Sequence, residues 1–468
     1  MKYILLIAGL ILLFFLVYFY FKYIQIYENN LLPLQQVKLL LNETRNIFDE
    51  RILFPPIIPL KNIIQFKFKK IYKYPIILLP DLGGNKLFCK TNNTVLPQNC
   101  LQSNDWSVIW PNNKALNPLN NWSKCWKYKF ESLFKNDQIR DKPGITISAY
   151  RTKNYYHGKF QITDDFGGID NLDILQIINY SISYGFYPFV LFLKKNYNYI
   201  PKSNLFGAPY DFRKISNKDY LHSYFDKIKD LIEYSYKNNK LPSIIIGHGL
   251  GGLLFLYFLN FYLPDTISSQ KWKNNFIKLF IPINTPFGGC ELALKALLKG
   301  TNEGIGLASL SYDNSDWYHD IQKLLGGLFL MIPNSTLFNR KIPKIKGYTQ
   351  FVKKLSRYYS KPPKVPVYCI TSSNYKKKTL INHEKSLYEQ KYYSQIYSKL
   401  QEKLKSDKMV GDGIVPFISQ QIPLLWVNNN LDNINHLHYK ITIKRVTAGH
   451  KTILNNKDFF KLFLKIFK

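Results

Sequence analysis

The segment SIIIGHGLGGLLFLYFL, residues 243–259, joins an apolar run, a glycine-rich turn and a longer apolar run. The first run is typical of a buried strand and the second of a buried helix, so the segment predicts a strand–turn–helix unit. Many hydrolases mount a nucleophilic serine on such a turn, in the pattern G-x-S-x-G. Gly249 occupies the position of that serine, between Gly247 and Gly251. The segment therefore indicates either a catalytic turn without its nucleophile or a glycine loop with another role.

The same glycines satisfy the pattern G-x-G-x-x-G, which binds the pyrophosphate of a dinucleotide between a strand and a helix. That interpretation needs an acidic residue at the end of the next strand, about 20 residues further on. The next strand-like run, FIPIN, ends at Asn284, and Asp265 follows Pro264 in a loop. A dinucleotide-binding oxidoreductase is therefore a remote alternative.

Two downstream residues complete the order that a serine hydrolase of this type requires, with the nucleophile first, the acid second and the histidine last. GDGIVP places Asp412 in a turn, and AGHKT places His450 just beyond the last strand-like run. Each motif alone is typical of an ordinary turn or loop, but the order of Gly249, Asp412 and His450 fits a catalytic triad. Asp412 and His450 are the predicted acid and base.

A second glycine turn, at residues 83–84 in PIILLPDLGGNKL, follows another apolar strand-like run. In such hydrolases the loop at this place gives one backbone N–H to the oxyanion hole, and the residue after the nucleophile gives the other. The predicted donors are the amides of Leu82 and Leu250. We expect neither a metal nor a cofactor for this chemistry.

Strand-like and helix-like runs alternate over residues 72–468, which predicts a mostly parallel sheet covered by helices. The predicted strands lie at 74–79, 243–246, 277–283, 365–371 and 439–446, and the predicted helices at 250–262, 292–298 and 458–467. Two stretches interrupt this pattern. Residues 88–141, rich in Trp, Pro and Asn, predict a lid, and residues 291–360 predict a helical cap.

Residues 1–25 predict a transmembrane helix. The run 3–21 contains no charged residue and is long enough to cross a bilayer, and no small-residue cleavage site follows it. We expect an uncleaved signal anchor, a polar and basic connector over 26–71, and a lumenal or extracellular body. A cleaved secretory signal and a buried core helix are the alternatives.

The 468-residue chain has a formal net charge of +33, which raises the question of nucleic-acid binding. Its lysines are dispersed rather than grouped on one motif, so we do not expect nucleic acid as a partner. A basic surface beside a membrane anchor favours anionic lipid instead.

Cys89 and Cys100 lie in one loop-like stretch, FCKTNNTVLPQNC, and we expect them to form a disulfide in an oxidising lumen.

Eight motifs, in order, resemble the lecithin:cholesterol acyltransferase family, which includes phospholipid:diacylglycerol acyltransferases and lysosomal phospholipase A2. They are PDLGGNKL, a lid-like segment with Cys89, Cys100, Trp106, Trp110, Cys125 and Trp126, then DDFGGIDNLDIL, LFGAPYDFR, GHGLGG, INTPFGG, GDGIVP and GHKTIL. The resemblance covers most of residues 72–468.

The resemblance implies an α/β-hydrolase fold, preceded here by the transmembrane segment, whose lid and cap insertions hold the acyl chains of glycerolipids. It implies O-acyltransferase or phospholipase A activity on membrane phospholipid or another acyl lipid. In that chemistry a serine attacks the ester while the histidine, oriented by the acid, moves the proton. The residues assigned above keep their roles, and Trp106 and Trp110 become candidate lid contacts to lipid.

Two departures from the family pattern bear on activity. Gly249 stands where the family has its serine, and no neighbouring Ser, Thr or Cys replaces it. Asp81 stands where Gly is more usual in PGLGG, which predicts a carboxylate that opposes negative charge near the oxyanion site. One hypothesis is a membrane-anchored lipid-binding protein with catalysis lost or strongly reduced. The other hypothesis is an active lineage in which Gly249 is a sequence error or a recent loss. Under either hypothesis we expect the substitution Gly249→Ser to place an Oγ within reach of His450.

Overall fold

The computed structural model describes residues 74–92, 96–97, 100–111, 121–172, 175–178, 181–301, 315–335, 337–338, 341–373, 411–429 and 439–466. The predicted signal anchor at 1–25 and the predicted connector at 26–71 lie outside these residues. Within the described ranges, none of the helices has both the length and the apolar character needed to cross a membrane.

The strands of the described residues are β1 (Ile76–Leu79), β2 (Leu87–Thr91), β3 (Ser107–Trp110), β4 (Leu133–Lys135), β5 (Gln138–Arg140), β6 (Ile145–Ser148), β7 (Tyr155–Tyr156), β8 (Lys159–Phe160), β9 (Leu175–Ile178), β10 (Ser181–Tyr184), β11 (Leu205–Gly207), β12 (Ser243–His248), β13 (Ile277–Ile283), β14 (Val367–Ser373) and β15 (Ile441–Thr447). The α-helices are α1 (Asn121–Phe130), α2 (Tyr187–Tyr197), α3 (Lys218–Asn239), α4 (Leu250–Tyr257), α5 (Ile267–Phe276), α6 (Glu291–Lys299), α7 (Ser315–Gln322), α8 (Gly326–Leu330), α9 (Gln350–Leu355), α10 (Phe417–Gln420), α11 (Pro423–Asn429) and α12 (Lys457–Ile466). A π-helical turn, Phe258–Tyr262, extends α4, and short 3₁₀ turns lie at Ser356–Tyr358 and Ile453–Asn455.

The central sheet has the strand order β11–β1–β12–β13–β14–β15, and all of its neighbouring strands are parallel. Alternate residues of each strand face opposite hydrophobic cores. Ile77 and Leu79 of β1 pack into the core that contains α3 and α4, whereas Ile76 and Leu78 pack into the core with α2 and α12. Burial on both faces explains why these strands read as continuous apolar runs. The predicted parallel sheet covered by helices is confirmed.

The five predicted strands all have counterparts whose ends lie within about two residues of the expected ones, namely β1, β12, β13, β14 and β15. The predicted helix at 250–262 is α4 together with its π-helical extension. The 22-residue helix α3 was not predicted from the sequence. It buries Leu221, Phe225, Ile228 and Ile232 at helical spacing. That periodicity was readable in the sequence and predicts a helix that covers one face of the sheet.

The stretch 88–141, which the sequence predicts as irregular, contains regular structure. β2 pairs antiparallel with both β3 and β6, β4 and β5 form a hairpin, and α1 lies between β3 and β4. The expected cap at 291–360 contains the helices α6 to α9 within its described parts. We keep the names lid (88–141) and cap (291–360) for these two insertions.

The predicted disulfide between Cys89 and Cys100 is wrong. Cys100 pairs with Cys125 of α1, with 5.4 Å between the two Cα atoms. Cys89 is a free thiol on β2, where pairing with the neighbouring strands turns its side chain into the core. Burial raises the pKa of this thiol to about 11, so it has little thiolate character. The sequence around Cys89 resembles a loop, but the residue belongs to a strand.

We expect the Cys100–Cys125 bond to stabilise the lid. It closes a segment with a sequence separation of 25 residues, for which loop closure predicts a loss of about 3 kcal/mol in the free energy of unfolding on Cys125→Ser. Non-reducing peptide mapping should find Cys100 linked to Cys125, with Cys89 alkylated only after unfolding. A linked pair of Cys89 and Cys100 would contradict this arrangement.

A buried ion-pair cluster connects the lid to the loop after β11. The guanidinium of Arg213 is fully buried, and its Nη2 lies 2.8 Å from Oδ2 of Asp211 and 2.8 Å from Oδ1 of Asp141. Its Nη1 donates a hydrogen bond to the carbonyl oxygen of Phe130. Because removing one partner of such a cluster leaves an uncompensated buried charge, the motif LFGAPYDFR has a structural role here.

Candidate active site

Gly249 lies at the sharp turn between β12 and α4, as the sequence predicts. Its backbone has φ 50° and ψ −120°, a left-handed conformation that disfavours a side chain by roughly 1–2 kcal/mol. The amide of Gly249 donates a hydrogen bond to the carbonyl oxygen of Ile283, at 2.9 Å. Gly249 thus forms a sharp strand-to-helix turn in a backbone conformation that favours glycine.

The neighbouring glycines allow close packing of the turn. A Cβ on Gly252 would lie 2.0 Å from Oγ1 of Thr285, and a Cβ on Gly251 would lie 2.3 Å from the carbonyl oxygen of Leu79. These glycines bring α4 against the strands beside it. The N-terminal amide of α4 already binds the side chain of Asp81, an anion supplied by the protein, so the structure gives the dinucleotide-binding alternative no support.

The carboxylate of Asp81 lies directly over Gly249. A Cβ on Gly249 would lie 1.9 Å from Oδ1 of Asp81 and 2.2 Å from its Cγ, so this carboxylate fills the space that a serine side chain needs. Oδ1 accepts a hydrogen bond from the amide of Leu250 at 2.7 Å. Oδ2 lies 2.9 Å from Nε2 of His450. The carboxylate of Asp81 therefore occupies the space above Gly249 and bridges the amide of Leu250 and the ring of His450.

The structure brings the predicted acid and base together. Oδ2 of Asp412 lies 2.8 Å from Nδ1 of His450, and the backbone N–H of His450 donates to the carbonyl oxygen of Asp412. The other carboxylate oxygen of Asp412 accepts hydrogen bonds from the amides of Ile414 and Val415. These contacts fix the orientation of a buried carboxylate, which in turn fixes the imidazole ring.

The charges of the site are coupled through His450. Burial alone would lower the pKa of His450, but the carboxylates of Asp412 and Asp81 raise it to about 10. Burial alone would raise the pKa of Asp81, but the charge and the hydrogen bond of His450 lower it to about 2. At neutral pH the site is an imidazolium between two carboxylates, and each ring nitrogen donates a hydrogen bond. In this state His450 has no lone pair with which to act as a base.

His248 completes the cluster. Its ring stacks on that of His450 with 4.9 Å between centroids, and its Nε2 donates to the backbone carbonyl oxygen of His450 at 3.1 Å. Burial lowers the pKa of His248 to about 4, so its ring is neutral beside the imidazolium. Ligand-type atoms of Asp81, His248 and His450 lie within 4.8 Å of one another.

A cleft with a cavity volume of about 30 Å³ adjoins the cluster. Its walls are mainly apolar and come from the oxyanion-type loop, the cap and the turn that carries Asp412; they are Asp81, Leu82, Pro286, Cys290, Leu292, Ala293, Leu328, Met331, Ile414, Val415 and His450. The position of Leu82 near the site and a contribution from the cap were both expected, but the lining residues of the cap helices α6 and α8 were not identified from the sequence. The apolar faces of those helices were the available signal.

The two lid tryptophans have different surroundings. Trp110 is 3% exposed, its Nε1 donates to the carbonyl oxygen of Gly83 at 2.9 Å, and its ring packs edge-on against Phe212. The side chain of Trp110 supports the glycine turn from inside the core, and its predicted contact with lipid stays a prediction. Trp106 is half-buried, with the ammonium of Lys90 4.9 Å from its ring centroid, and it stays a candidate lid contact.

A parallel sheet of this order, a strand–turn–helix unit at β12 and α4, and an acid–histidine pair after β14 and β15 define the α/β-hydrolase class. The family model for lecithin:cholesterol acyltransferase matches residues 106–340, half of the chain. The chain belongs to that family. The matched range includes Gly249 but not Asp81, Asp412 or His450.

Several curated relatives are similar over about half of this chain. The lysosomal phospholipase A and acyltransferase of Canis lupus familiaris is 26% identical over 233 residues, which is 49% of this chain and 52% of that protein. The phosphatidylcholine-sterol acyltransferase of Mus musculus is 26% identical over 239 residues, 50% of this chain and 48% of that protein. The chain thus spans about half the length of these relatives. Among solved structures, the mature lipase BlEst2 of Bacillus licheniformis matches with a TM-score of 0.26 and 10% identity over 53% of this chain and 74% of that one.

Proposed function

We propose that this chain is a lipid-binding member of the lecithin:cholesterol acyltransferase family that does not perform serine-type acyl transfer. The observation that carries the proposal is the position of the Asp81 carboxylate, which fills the space above Gly249 and binds the amide of Leu250. An ester carbonyl meets no hydroxyl nucleophile there, and this oxyanion donor is already occupied. The imidazolium of His450 is also in the wrong protonation state for a general base.

The alternative, an active lineage in which Gly249 is a sequence error, is less well supported. A serine at position 249 would overlap the carboxylate of Asp81, so an error at that one codon does not restore a family-type site. The carboxylate of Asp81 has room only because residue 249 lacks a side chain. We therefore treat Gly249 and Asp81 as one joint departure from the family pattern.

Lipid binding is supported by the cleft and by the surface of the lid. The cleft offers mainly apolar walls to part of a hydrocarbon chain, directly beside Asp81 and His450. Leu101, Val108 and Leu133 are exposed apolar residues in the lid, and the strongly basic chain favours an anionic membrane surface. We propose a membrane phospholipid or another acyl lipid as the partner.

An oxidising compartment is supported by the Cys100–Cys125 disulfide. We propose that the body is lumenal or extracellular and that residues 1–25 anchor it to the membrane. The acyl chain of a lipid from the adjacent leaflet is then the natural occupant of the cleft.

We expect the purified wild-type protein to resist labelling by a fluorophosphonate probe and to leave phosphatidylcholine vesicles unhydrolysed, yet to bind the fluorescent fatty acid cis-parinaric acid. Ala293→Leu adds three carbon atoms to the wall of the cleft, and these displace carbon atoms of the bound chain. Because each buried methylene contributes about 0.8 kcal/mol to binding, the affinity should fall at least roughly tenfold. Lys299→Leu, on the exposed end of the same helix, is the matched control. Fluorophosphonate labelling or phospholipid hydrolysis by the wild type that disappears in His450→Ala would refute the proposal.

A further inference from the structure

Asp81 lies on the loop 80–85, which follows β1 and which we name the Asp81 loop. Side chains from two distant segments donate hydrogen bonds to carbonyl oxygens of this loop. We propose that these donors, Trp110 of the lid and Tyr210 after β11, are positioning residues that hold the Asp81 loop closed over Gly249, and that a lipid enters the cleft only when the loop is displaced. The inference deepens the proposed function and rests on it for the identity of the ligand.

Trp110 holds the middle of the loop. Its Nε1 donates to the carbonyl oxygen of Gly83 at 2.9 Å, and a Cβ on Gly83 would lie 3.1 Å from the indole ring, so the glycine lets the ring lie against the turn. Trp110 is itself fixed within the lid, because Nε1 of Trp126 on α1 donates to the carbonyl oxygen of the preceding residue, Ile109, at 2.6 Å. The lid therefore contacts the Asp81 loop through a buried, directional bond.

Tyr210 holds both ends of the loop. Its Oη donates to the carbonyl oxygen of Pro80, the residue before Asp81, at 3.0 Å. The side chain of Asn85 donates to the backbone carbonyl oxygen of Tyr210 at 3.1 Å and accepts from its N–H at 3.3 Å. Both residues are fully buried, where an unmade hydrogen bond is costly. The position of the Asp81 carboxylate is thus set by groups outside the loop.

The size of the cleft requires a wall to move before a lipid can enter. Its volume of about 30 Å³ is enough for about one or two water molecules. The half-buried side chains among its walls are Asp81, Leu82 and Ile414, so the loop supplies two of the three at the mouth. A Cβ on Gly327 of α8 would lie 2.5 Å from Cδ1 of Leu82, which shows how closely the loop packs on the cap. Outward displacement of the loop removes both of its side chains from the cleft.

The amide of Leu250 reports whether the loop is closed. As the first amide of α4 it has no partner within the helix, and its hydrogen bond goes to Oδ1 of Asp81 at 2.7 Å. Leu250 is fully buried, so solvent reaches its N–H when the loop is displaced. The N–H of Gly252 donates to the carbonyl oxygen of Gly249 and is the internal reference, because that bond lies within the turn.

Displacement of the loop and affinity for a lipid are linked. A ligand that binds only the displaced state has an apparent affinity equal to its intrinsic affinity multiplied by the displaced fraction. The bonds from Trp110 and Tyr210 belong to the closed state, so removing one of them raises the displaced fraction by roughly fivefold, the effect of one net hydrogen bond. A weaker hold on the loop therefore strengthens lipid binding, whereas damage to the walls of the cleft weakens it.

The test compares three conservative variants of the full chain. Tyr210→Phe and Trp110→Phe each remove one donor to the loop and keep an aromatic ring in the core. Both should raise the exchange rate of the Leu250 amide roughly fivefold, measured by hydrogen–deuterium exchange and mass spectrometry at single-residue resolution, and should raise the affinity for cis-parinaric acid by the same factor. Tyr224→Phe is the matched control, because its Oη donates to the carbonyl oxygen of Ala208 at 2.8 Å, outside the loop, and it should change neither quantity.

Exchange of the Leu250 amide at the wild-type rate in both variants would mean that other contacts hold the loop, and would overturn the inference. An equal rise in Tyr224→Phe would overturn it as well, since general loosening of the core then explains the effect. If Trp110→Phe does not fold, Tyr210→Phe decides the question. If cis-parinaric acid binds none of the proteins, the proposed function fails, and the exchange rates still decide whether the two residues hold the loop.

Discussion

We expect the double variant Asp81→Gly/Gly249→Ser to gain serine reactivity that neither single variant has. In Gly249→Ser the new Cβ would lie 1.9 Å from Oδ1 of Asp81, so the single change cannot place its Oγ beside His450 while that carboxylate stays. This corrects the expectation from the sequence that Gly249→Ser is sufficient. In Asp81→Gly the amide of Leu250 is free, but there is no nucleophile.

The double variant should restore three features of a serine hydrolase site, namely the nucleophile, the oxyanion donor and the base. The serine has room, the amide of Leu250 can bind an oxyanion, and His450 keeps one carboxylate neighbour instead of two. Its pKa then falls from about 10 towards the range in which it accepts a proton at neutral pH. The turn must accept a side chain at φ 50°, a cost of about 1–3 kcal/mol that a large core tolerates.

We expect the rate of fluorophosphonate labelling and of p-nitrophenyl ester hydrolysis to rise on the order of 10²–10³-fold over either single variant, since triad members act as a unit. The triple variant with His450→Ala is the control and should lose the gain. If Gly249→Ser alone were as reactive as the double variant, the carboxylate of Asp81 would have to move aside freely, and the account of a blocked site would be wrong.

Much of the scaffold of the site was predictable, because it depends on local patterns. β12 and α4 are continuous apolar runs around a glycine turn, and the order of Asp412 and His450 in the chain matches a known arrangement. The position of Asp81 over Gly249 was not predicted, because it depends on how closely two loops approach. The signal was present, since β1 and β12 are adjacent parallel strands whose carboxyl ends meet at one edge of the sheet. Two unusual residues at that edge should have been considered as a pair.

The unexpected features of the lid share a physical cause. Cys89 and Trp110 lie in a stretch whose composition resembles a loop, and both residues are instead on strands of a small antiparallel sheet. Strand pairing turns their side chains inward, and it is set by partners distant in the sequence, such as β6. The helix α1 brings Cys125 to Cys100, and no spacing rule within the stretch indicates this contact.

The remaining prediction concerns stability at alkaline pH. The pKa of His450 is raised from 6.5 to about 10 in the folded protein, so its ion pairs stabilise the fold fully below about pH 6.5 and lose that effect as the pH rises through about 10. The lowered pKa of Asp81 affects stability only at acid pH, because the stabilisation by its carboxylate is lost as the pH falls through about 2. His248, whose pKa is lowered to about 4, changes charge only below neutral pH. Between pH 7 and 10 the groups that change charge at this site are therefore His450 and its neighbour Lys451, whose pKa is lowered by burial.

In that window the free energy of unfolding of the wild type should decrease more than that of Asp81→Asn, by an amount on the order of a few kcal/mol, since one pKa unit corresponds to about 1.4 kcal/mol. Urea unfolding at pH 7, 8, 9 and 10 measures the difference. Lysines far from the site contribute equally to both proteins and cancel, but the pKa of Lys451 depends on the Asp81 carboxylate, so both proteins are compared in a Lys451→Met background. Asp265→Asn, which removes an exposed carboxylate paired with Lys364, is the matched control and should follow the wild type. An NMR titration of His450 should give a lower pKa in Asp81→Asn than in the wild type. If the two proteins lose stability in parallel, or His450 titrates near 6.5 in both, then Asp81 and His450 do not form the ion pair on which the closed state of this site depends.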